Sequence, residues 1–266
     1  MPYYSDLQHP ASHKRCKSLI PYIVTLCILL TLWHISSLYL NTPLLPTPYN
    51  VGIQVLQLWS SPLLQPHIFA SMYRLLLGIA IAFIFSIPLG MWSGFSHRGN
   101  QLLSPFLYLF YSIPKVIFLP LIMLALGIGN ATKIFLISFT LFFHLTVIIR
   151  DAVRSIDPFQ IDILRSFGAT PLQLIRHLLW PASLSPILTS LRTGLGIALA
   201  LLFITETFAA DKGLGYFIMN AMEIHNYEEM YAAIITLGLI GLSLYITLDQ
   251  LEIYLCPWKH KQKNKP

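Results

Sequence analysis

Four ionisable side chains lie deep inside long apolar stretches of this 266-residue chain. Lys115 follows Pro114 about a dozen residues into one stretch. Arg192 and Glu206 share a second stretch, and His144 lies in a third. A charge at membrane depth is costly and normally faces a partner or a water-filled cavity. The chemistry that these groups offer is therefore ion pairing or contact with a passing solute, and an ammonium at position 115 suits an anion.

Each of these groups also has a structural interpretation. Lys115 is either a path-lining ammonium or a paired structural lysine. Glu206 is either an interfacial residue hydrated by water or a gate residue at the mouth of a path. For His144 we favour a buried histidine satisfied by a helix carbonyl. Arg192 either snorkels to the membrane surface or bridges to the loop around residues 157–181.

Prolines interrupt the same apolar stretches. Pro88, Pro114 and Pro120 leave backbone carbonyls unpaired, which is tolerated only inside a bundle or beside water. The resulting bends are either packed kinks or parts of a solute path. The candidates for a translocation path are therefore Pro114, Lys115, Pro120 and Glu206.

Patterns typical of catalysis and metal binding are missing from the sequence. No GxxxxGK[ST] loop occurs, so the chain does not itself hold ATP in the usual way. No HExxH motif occurs, and among nine dispersed histidines only His9 and His13 stand four apart. A membrane-embedded enzyme of lipid or isoprenoid metabolism would need clustered Asp or His at the membrane face. We therefore predict no catalytic residue, no metal ligand and no cofactor held by this chain.

The composition places these groups in a polytopic membrane protein. The chain is 55% hydrophobic and 11% charged, whereas soluble domains contain about 25% charged residues. The net charge is +6, but the lysines and arginines cluster at the ends and in alternate loops. Such a distribution orients a membrane protein and does not form a patch for nucleic acid. We predict an all-α protein with one membrane-embedded unit.

Six membrane spans are predicted, over about residues 18–40, 72–94, 104–126, 134–150, 182–208 and 230–250. The first apolar run is too long for a signal-peptide core, and no small-x-small cleavage site follows it. An even number of spans puts both basic termini on one side, which we predict to be the cytoplasm. The cations on that side are Lys14, Arg15, Lys17, Arg98, Arg150, Arg154, Arg165, Arg176, Lys259, Lys261, Lys263 and Lys265. The cations expected outside are Lys133 and Lys212, with Arg74 at the outer edge of the second span. Residues 41–69 form an external loop that can hold one interfacial helix.

The polar stretch of residues 157–181, between the fourth and fifth predicted spans, begins with a helix signature. Asp157 can cap a helix whose first residue is Pro158. Gly168 supplies a left-handed stop. The predicted apolar stripe of this helix consists of Ile161, Leu164 and Phe167.

A second helix signature follows directly. Thr170 and Gln173 form a capping box around Pro171, and Pro181 is predicted to end the helix. Its predicted apolar stripe consists of Leu172, Ile175 and Leu179. A helix, a glycine elbow and a second helix between two spans are expected to lie along the water-facing surface and to present a ridge to a partner.

The spacing in this stretch resembles the loop motif of binding-protein-dependent ABC importer permeases. That motif is Glu-Ala-Ala, three residues, Gly, nine residues and Ile-x-Leu-Pro. Gly168 lies six residues after Asp162, and Pro181 lies thirteen after Gly168, as in the motif. The departures are Asp for Glu at position 162, Ile-Leu for the alanines at 163–164 and Leu-Leu-Trp for Ile-x-Leu at 178–180.

Other segments resemble the nitrate, sulfonate and taurine branch of these permeases. They are LLPTP at residues 44–48, Ile113-Pro114 with Pro120, and GLGYFIMNA at residues 213–221. The resemblance covers roughly residues 18–253. It implies a type I ABC importer permease fold in the bacterial inner membrane, working as a homodimer with two cytoplasmic ATPase subunits and an external solute-binding protein.

The resemblance also implies a division of labour among residues and subunits. The ATPase-coupling residues would be Asp162, Arg165, Gly168, Thr170, Pro171 and Pro181. ATP and Mg²⁺ would bind to the separate ATPase, and the solute would be a small anion such as sulfonate, taurine or nitrate. A pyrimidine-type thiamine precursor is the alternative solute. A channel or ion-coupled transporter would need more intramembrane charge or an inverted repeat.

The expected domain boundaries follow from the spans and the resemblance. Residues 1–17 are a cytoplasmic tail, 18–64 the first membrane helix with the external loop, 65–253 the permease domain and 254–266 a basic cytoplasmic tail. Within the fifth span, small residues allow close helix packing, as an intramolecular contact or as a dimer seam. These residues are Gly194, Gly196, Ala198 and Ala200.

Overall fold

A computed structural model describes residues 20–208 and 210–257, and these residues form an all-α bundle. The helices in these ranges are α1 (Ile20–Leu40), α2 (Pro48–Ser60), α3 (Gln65–Phe95), α4 (His97–Ser112), α5 (Leu119–Leu126), α6 (Asn130–Arg154), α7 (Pro158–Ser166), α8 (Pro171–Leu174), α9 (Trp180–Phe208), α10 (Leu214–Glu223) and α11 (Tyr227–Leu255). A 3₁₀ turn at Lys115–Phe118 joins α4 to α5, and a π-helical turn at Ile175–Leu179 joins α8 to α9. The predicted all-α fold is confirmed.

Five helical runs in the described ranges are long and apolar enough to cross a membrane singly. They are α1, α3, α6, the continuous run Pro171–Phe208 and α11. The pair α4 and α5 makes a sixth apolar segment, but its two halves meet at 87°. The predicted interruption of the third span, over residues 104–126, is therefore confirmed at Pro114, whereas Pro120 lies in the first turn of α5 and does not break that helix. Pro114 lacks an amide hydrogen and disfavours the helical region for Ile113, whose ψ is 127°.

One predicted element is longer than expected, and another is confirmed. Helix α3 begins at Gln65, seven residues before the predicted start of the second span, so Arg74 lies inside the helix. The loop before this span does hold one helix, α2, capped by the Thr47 hydroxyl, which accepts from Asn50 N at 3.3 Å. The basic stretches at residues 1–17 and 258–266, with the lysines and histidines predicted there, lie outside the described residues.

The main core lies where α3 packs along α6 and α9. A stripe of small side chains on α3 lets α6 approach closely; its members are Gly78, Ala82, Ser86, Gly90 and Gly94. Each α3 residue of this stripe is four positions from the next, which places them on one helix face. A second core joins α2, α10 and α11 around Val51, Leu58, Leu214, Ala232 and Ala233.

The bundle therefore has two distinct ends. The end that carries α7, together with the C-termini of α3 and α6, is called the α7 end. The opposite end, which carries α10 and the N-termini of α3 and α6, is called the α10 end.

Substituting Gly90 tests whether the α3–α6 contact limits stability. A Cβ atom built on Gly90 would lie 2.8 Å from Ile149 Cβ, whereas one on Gly52 of α2 would meet nothing within 4 Å. We expect Gly90→Ala to lower the free energy of unfolding by ~1–3 kcal/mol through overpacking. The matched change Gly52→Ala is expected to be neutral or stabilising, because alanine is the better helix former. Thermal unfolding of the purified protein in detergent compares the two; equal melting temperatures would contradict the account.

The small residues of α9 divide between two faces. Gly194 and Ala198 are buried, and a Cβ on Gly194 would lie 3.1 Å from Leu141 Cδ2 of α6. The intramolecular interpretation is therefore confirmed for this pair. Gly196 and Ala200 face outward, and nothing in the described residues lies within 4 Å of a Cβ built on Gly196.

Candidate coupling surface and intramembrane polar groups

The first half of the polar stretch between α6 and α9 folds as its sequence predicts. Asp157 caps α7, and its Oδ1 accepts from Phe159 N at 2.9 Å. Gly168 has φ +78° and ends the helix in the left-handed region. The turn is closed by two amides, because Gly168 N donates to Arg165 O at 2.9 Å and Ala169 N donates to Leu164 O at 3.1 Å.

The second half begins with the predicted capping box. Gln173 Oε1 accepts from Thr170 N at 2.7 Å, and Thr170 Oγ1 accepts from Gln173 N at 3.4 Å. The box opens α8 at Pro171, so both helix starts and the glycine elbow are confirmed.

Pro181 does not end this second helix, so that prediction is wrong. The chain continues without a break from Pro171 to Phe208. Just before Pro181, the π-helical turn makes Trp180 N donate to Ile175 O, five residues back. A π turn shifts the hydrogen-bond register at the point where a proline ring would otherwise meet the carbonyl four residues earlier. As a result, α8 is continuous with a membrane-spanning helix.

The apolar stripes of this segment are only partly buried in the protein. Ile161 and Leu164 of α7 are half-buried, as expected, but Phe167 is 86% exposed. In the second helix Leu172 is 73% exposed, and Leu174 is buried in its place. We name Phe159, Phe167 and Leu172, all more than two-thirds exposed, the apolar ridge of the α7 end.

Polar groups surround this ridge. Arg165 Nη1 lies 3.7 Å from Asp162 Oδ1, and both side chains are exposed, so the pair adds little to stability. Arg165 Cζ also lies 5.9 Å from the ring centroid of Phe95 on α3. A recess of about 310 Å³ separates α7 from the ends of α3 and α6, and Arg154 contributes to its wall. The arrangement offers a partner both an apolar contact and charged hydrogen-bonding groups.

Glu206 lies in a packed network at the α10 end of the bundle. The Glu206 side chain is fully buried, and its carboxylate accepts hydrogen bonds from Arg74 Nη1 at 2.7 Å and from Gly215 N at 2.9 Å. Ser71 Oγ lies 2.9 and 2.8 Å from the two carboxylate oxygens. Neither oxygen is exposed in this conformation, so the predicted hydrated interfacial carboxylate is wrong. The network joins α3, α9 and α10.

Arg74 extends this network through contacts that the sequence analysis did not predict. Its Nε donates to Asn130 Oδ1 at 2.7 Å, and its Nη1 donates to Lys212 O at 2.6 Å. Gly213, with φ +136°, passes so close to the carboxylate that a Cβ there would lie 2.5 Å from Glu206 Oε2. The buried ion pair beneath Gly213 thus explains why this position is a glycine.

Arg192 pairs with carboxylates of α11, which neither sequence interpretation included. Its Nη2 lies 2.6 Å from Glu252 Oε2 and 3.0 Å from Asp249 Oδ1. Ser185 Oγ donates to the other Glu252 oxygen at 3.0 Å. The signal in the sequence was the pair of acids at i and i+3 near the end of the last span, which places both on one helix face.

Lys115 and His144 lie near the middle of the bundle. Lys115 begins the 3₁₀ turn at the α4–α5 break, and its Nζ donates to Tyr111 O at 3.1 Å. His144 is half-buried on α6, with Nε2 3.2 Å from Thr193 Oγ1 on α9. The ring also faces the Ser190 backbone of α9. The structure therefore places Lys115 at the break next to Pro114, and Pro120 follows in α5. Glu206 lies apart from these residues, at the α10 end.

Comparison with known proteins identifies the family. Residues 86–259 match the family described as the binding-protein-dependent transport system inner membrane component. The chain belongs to this family. The permease is 32% identical over 243 residues to the taurine transport system permease protein TauC of Escherichia coli strain K12, covering 89% of this chain and 88% of that protein.

Two further relatives and one solved structure extend the comparison. The permease is 30% identical to the putative aliphatic sulfonates transport permease protein SsuC of the same strain, covering 86% of this chain and 88% of that one. It is 28% identical to the formylaminopyrimidine transport permease protein ThiX of Halalkalibacterium halodurans, with coverages of 88% and 94%. An inward-facing structure of the MetNI methionine ABC transporter superposes with a TM-score of 0.64 at 19% identity, covering 73% of this chain and 96% of that one. The fold is therefore that of a type I ABC importer permease, and the chain is a permease subunit of an ABC importer.

Proposed function

We propose that this permease imports a small sulfonate, of the taurine type, and that a separate ATPase drives it through the apolar ridge of the α7 end. The observation that carries the proposal is that Phe159, Phe167 and Leu172 lie exposed on α7 and α8, and that α8 continues directly into a membrane-spanning helix. Several large apolar side chains exposed on one short water-facing segment favour a partner that covers them, because burying each is worth about 1.5–3 kcal/mol.

The coupling roles follow from where the segment is anchored. Gly168 sets the angle between α7 and α8, and the Thr170 capping box fixes the start of the helix that continues into the membrane. Asp162 and Arg165 provide exposed polar contacts for the ATPase. Pro171 stiffens the first turn of α8, and Pro181 follows the π turn that joins α8 to the span. ATP and Mg²⁺ bind to the ATPase and act by favouring one of two arrangements of the permease.

The proposed orientation follows from this role. The ATPase is cytoplasmic, so the α7 end and both termini face the cytoplasm, while α10 and the α10 end face the external binding protein. The cations of α7 and of the adjoining α6 end, Arg154 and Arg165 among them, support this orientation through the positive-inside rule.

A homodimer is proposed from the exposed face of α9. Thr189, Thr193, Gly196 and Ala200 are all exposed and recur at helical spacing. Small residues at such spacing allow two helices, or a helix and a solute, to approach closely. Two copies of the chain facing each other across this strip would enclose a path between them.

The substrate proposal is tested by uptake. The permease, its cognate ATPase and its cognate binding protein are reconstituted in vesicles, and ATP-dependent entry of labelled taurine is measured with unlabelled ethanesulfonate, nitrate and formylaminopyrimidine as competitors. Sulfonates are expected to be imported and to compete. Absence of taurine entry, together with entry of labelled formylaminopyrimidine into the same vesicles, would favour the alternative solute that ThiX, the less similar relative, suggests.

A further inference from the structure

Lys115 differs from the paired cations of the spans in having no carboxylate partner. Arg74, Arg150 and Arg192 each contact an Asp or Glu oxygen within 3.0 Å. Among residues 20–208 and 210–257, no carboxylate oxygen lies within 4.0 Å of Lys115 Nζ, although the residue is only 9% exposed.

The surroundings of the Lys115 ammonium leave part of its hydrogen-bonding capacity for another group. An ammonium carries three donors, and Tyr111 O is its hydrogen-bond acceptor in the described part of the chain. The rings of Tyr111 and Phe143 lie with their centroids 5.6 and 5.7 Å from Nζ and supply only weak attraction. A buried cation in hydrocarbon is stable only with a counter-charge or water, and an anion would supply that counter-charge.

His144 lies next to this cation and can donate to the same anion. The Lys115 ammonium lies close enough to the His144 imidazole for the two groups to interact electrostatically. Thr193 Oγ1 donates to Ser190 O at 3.0 Å, which leaves the Thr193 oxygen as the acceptor for Nε2–H of His144 at 3.2 Å. An oxyanion is a stronger acceptor than a hydroxyl and can share that hydrogen with Thr193, whose contact keeps the ring oriented.

The three residues also share one depth in the bundle. The 3.2 Å contact between His144 Nε2 and Thr193 Oγ1 places those two residues at the same level. Lys115 Nζ lies 5.7 Å from the ring centroid of Phe143, the neighbour of His144 in α6. The face of α9 beside Thr193 is open, since Gly196 and Ala200 are exposed and small.

We propose that Lys115 and His144 form an oxyanion subsite midway along the path and that it binds the sulfonate end of the solute, with Thr193 as the residue that positions the imidazole. A sulfonate presents three oxygens to converging donors, which suits an ammonium and an N–H from two different helices. The subsite rests on the proposed function. It places the path at the α4–α5 break, with Pro114 and Pro120, and leaves Glu206 as a structural residue.

The test compares charge removal at two lysines in the reconstituted complex with labelled taurine. Lys115→Gln is expected to lower taurine uptake at least about tenfold, the worth of a charge-assisted hydrogen bond. Lys115→Arg is expected to keep most of the uptake. The matched control Lys212→Gln, at an exposed lysine in the α9–α10 loop, is expected to match the wild type. ATP hydrolysis stimulated by the ligand-free binding protein reports whether each variant is folded and coupled, and this rate is expected to stay within twofold for all three.

A second pair of variants serves if Lys115→Gln does not fold. Thr193 is exposed, so Thr193→Val leaves the core intact, and we expect it to raise the half-saturating taurine concentration for uptake about tenfold while Thr193→Ser restores the wild-type value. Normal taurine uptake by Lys115→Gln, or by Thr193→Val where the lysine variant is unfolded, would overturn the subsite alone. Failure of the wild-type complex to import any sulfonate would overturn the proposed function and the subsite with it.

Discussion

Gly168→Leu and Gly168→Pro are expected to insert and fold normally but to take up taurine at least tenfold more slowly than the wild type. A tenfold decrease corresponds to a loss of ~1.4 kcal/mol of coupling free energy. Gly168 has φ +78°, a conformation that costs an ordinary L-residue about 1–2 kcal/mol. Proline cannot adopt it and also removes the amide that donates to Arg165 O. The strain is relieved by changing the angle between α7 and α8, which displaces the apolar ridge from its partner.

The control for this experiment is a residue type that can adopt the same left-handed backbone conformation. Asparagine populates the left-handed region readily, so Gly168→Asn is expected to keep most of the uptake. No side chain among the described residues lies within 4 Å of a Cβ at this position, so any loss reports backbone conformation and not a clash. ATP hydrolysis by the assembled complex is measured beside uptake. Wild-type uptake by Gly168→Leu at wild-type expression would contradict the coupling role.

Arg74→Met is expected to produce the largest loss of stability, about 3–5 kcal/mol, because it leaves Glu206 buried and without its cation. Both residues are at least 97% buried, so the unpaired carboxylate would be poorly hydrated. Most of such a protein is expected to be lost during expression or to elute as aggregate, which fluorescence-detected size-exclusion chromatography measures directly.

The double variant Arg74→Met/Glu206→Gln separates a lost ion pair from a lost contact. Removing both charges eliminates the uncompensated carboxylate, so the double variant is expected to be more stable than Arg74→Met alone. The glutamine amide can still accept from Ser71 and Gly215 at the same site. A double variant no more stable than the single one would show that Arg74 acts through its other contacts, at Asn130 and Lys212 O.

Local signals in the sequence predicted the α7–α8 segment well because capping depends on neighbours in the chain. Asp157, Gly168 and the Thr170–Gln173 pair each satisfy backbone groups within about one helical turn, so their types and spacing suffice. The same reasoning failed at Pro181. Whether a proline ends a helix or follows a π turn depends on how the flanking helix packs in three dimensions, which spacing does not encode.

Apolar periodicity was less informative about what each stripe contacts. Phe167 and Leu172 fit a buried helix face by spacing, yet both are exposed here, as expected if another subunit covers them. The ion pairs between helices could not be predicted from the sequence either. Arg74 and Glu206 are separated by 132 residues, and only the packing of α3 against α9 brings them together. In the third segment, the prolines indicated a bend, but the 87° angle follows from the tertiary structure.

The central claim, that the apolar ridge of the α7 end is the contact surface for the ATPase, is tested most directly by photo-crosslinking. A benzophenone amino acid is placed at Phe167, and in a matched control at Phe69, an aromatic residue of similar exposure near the α10 end of α3. When the permease is expressed with its cognate ATPase, the probe at Phe167 is expected to crosslink to the ATPase and the probe at Phe69 is not. Absence of the ATPase crosslink at Phe167 in a complex that still imports its solute would contradict the account.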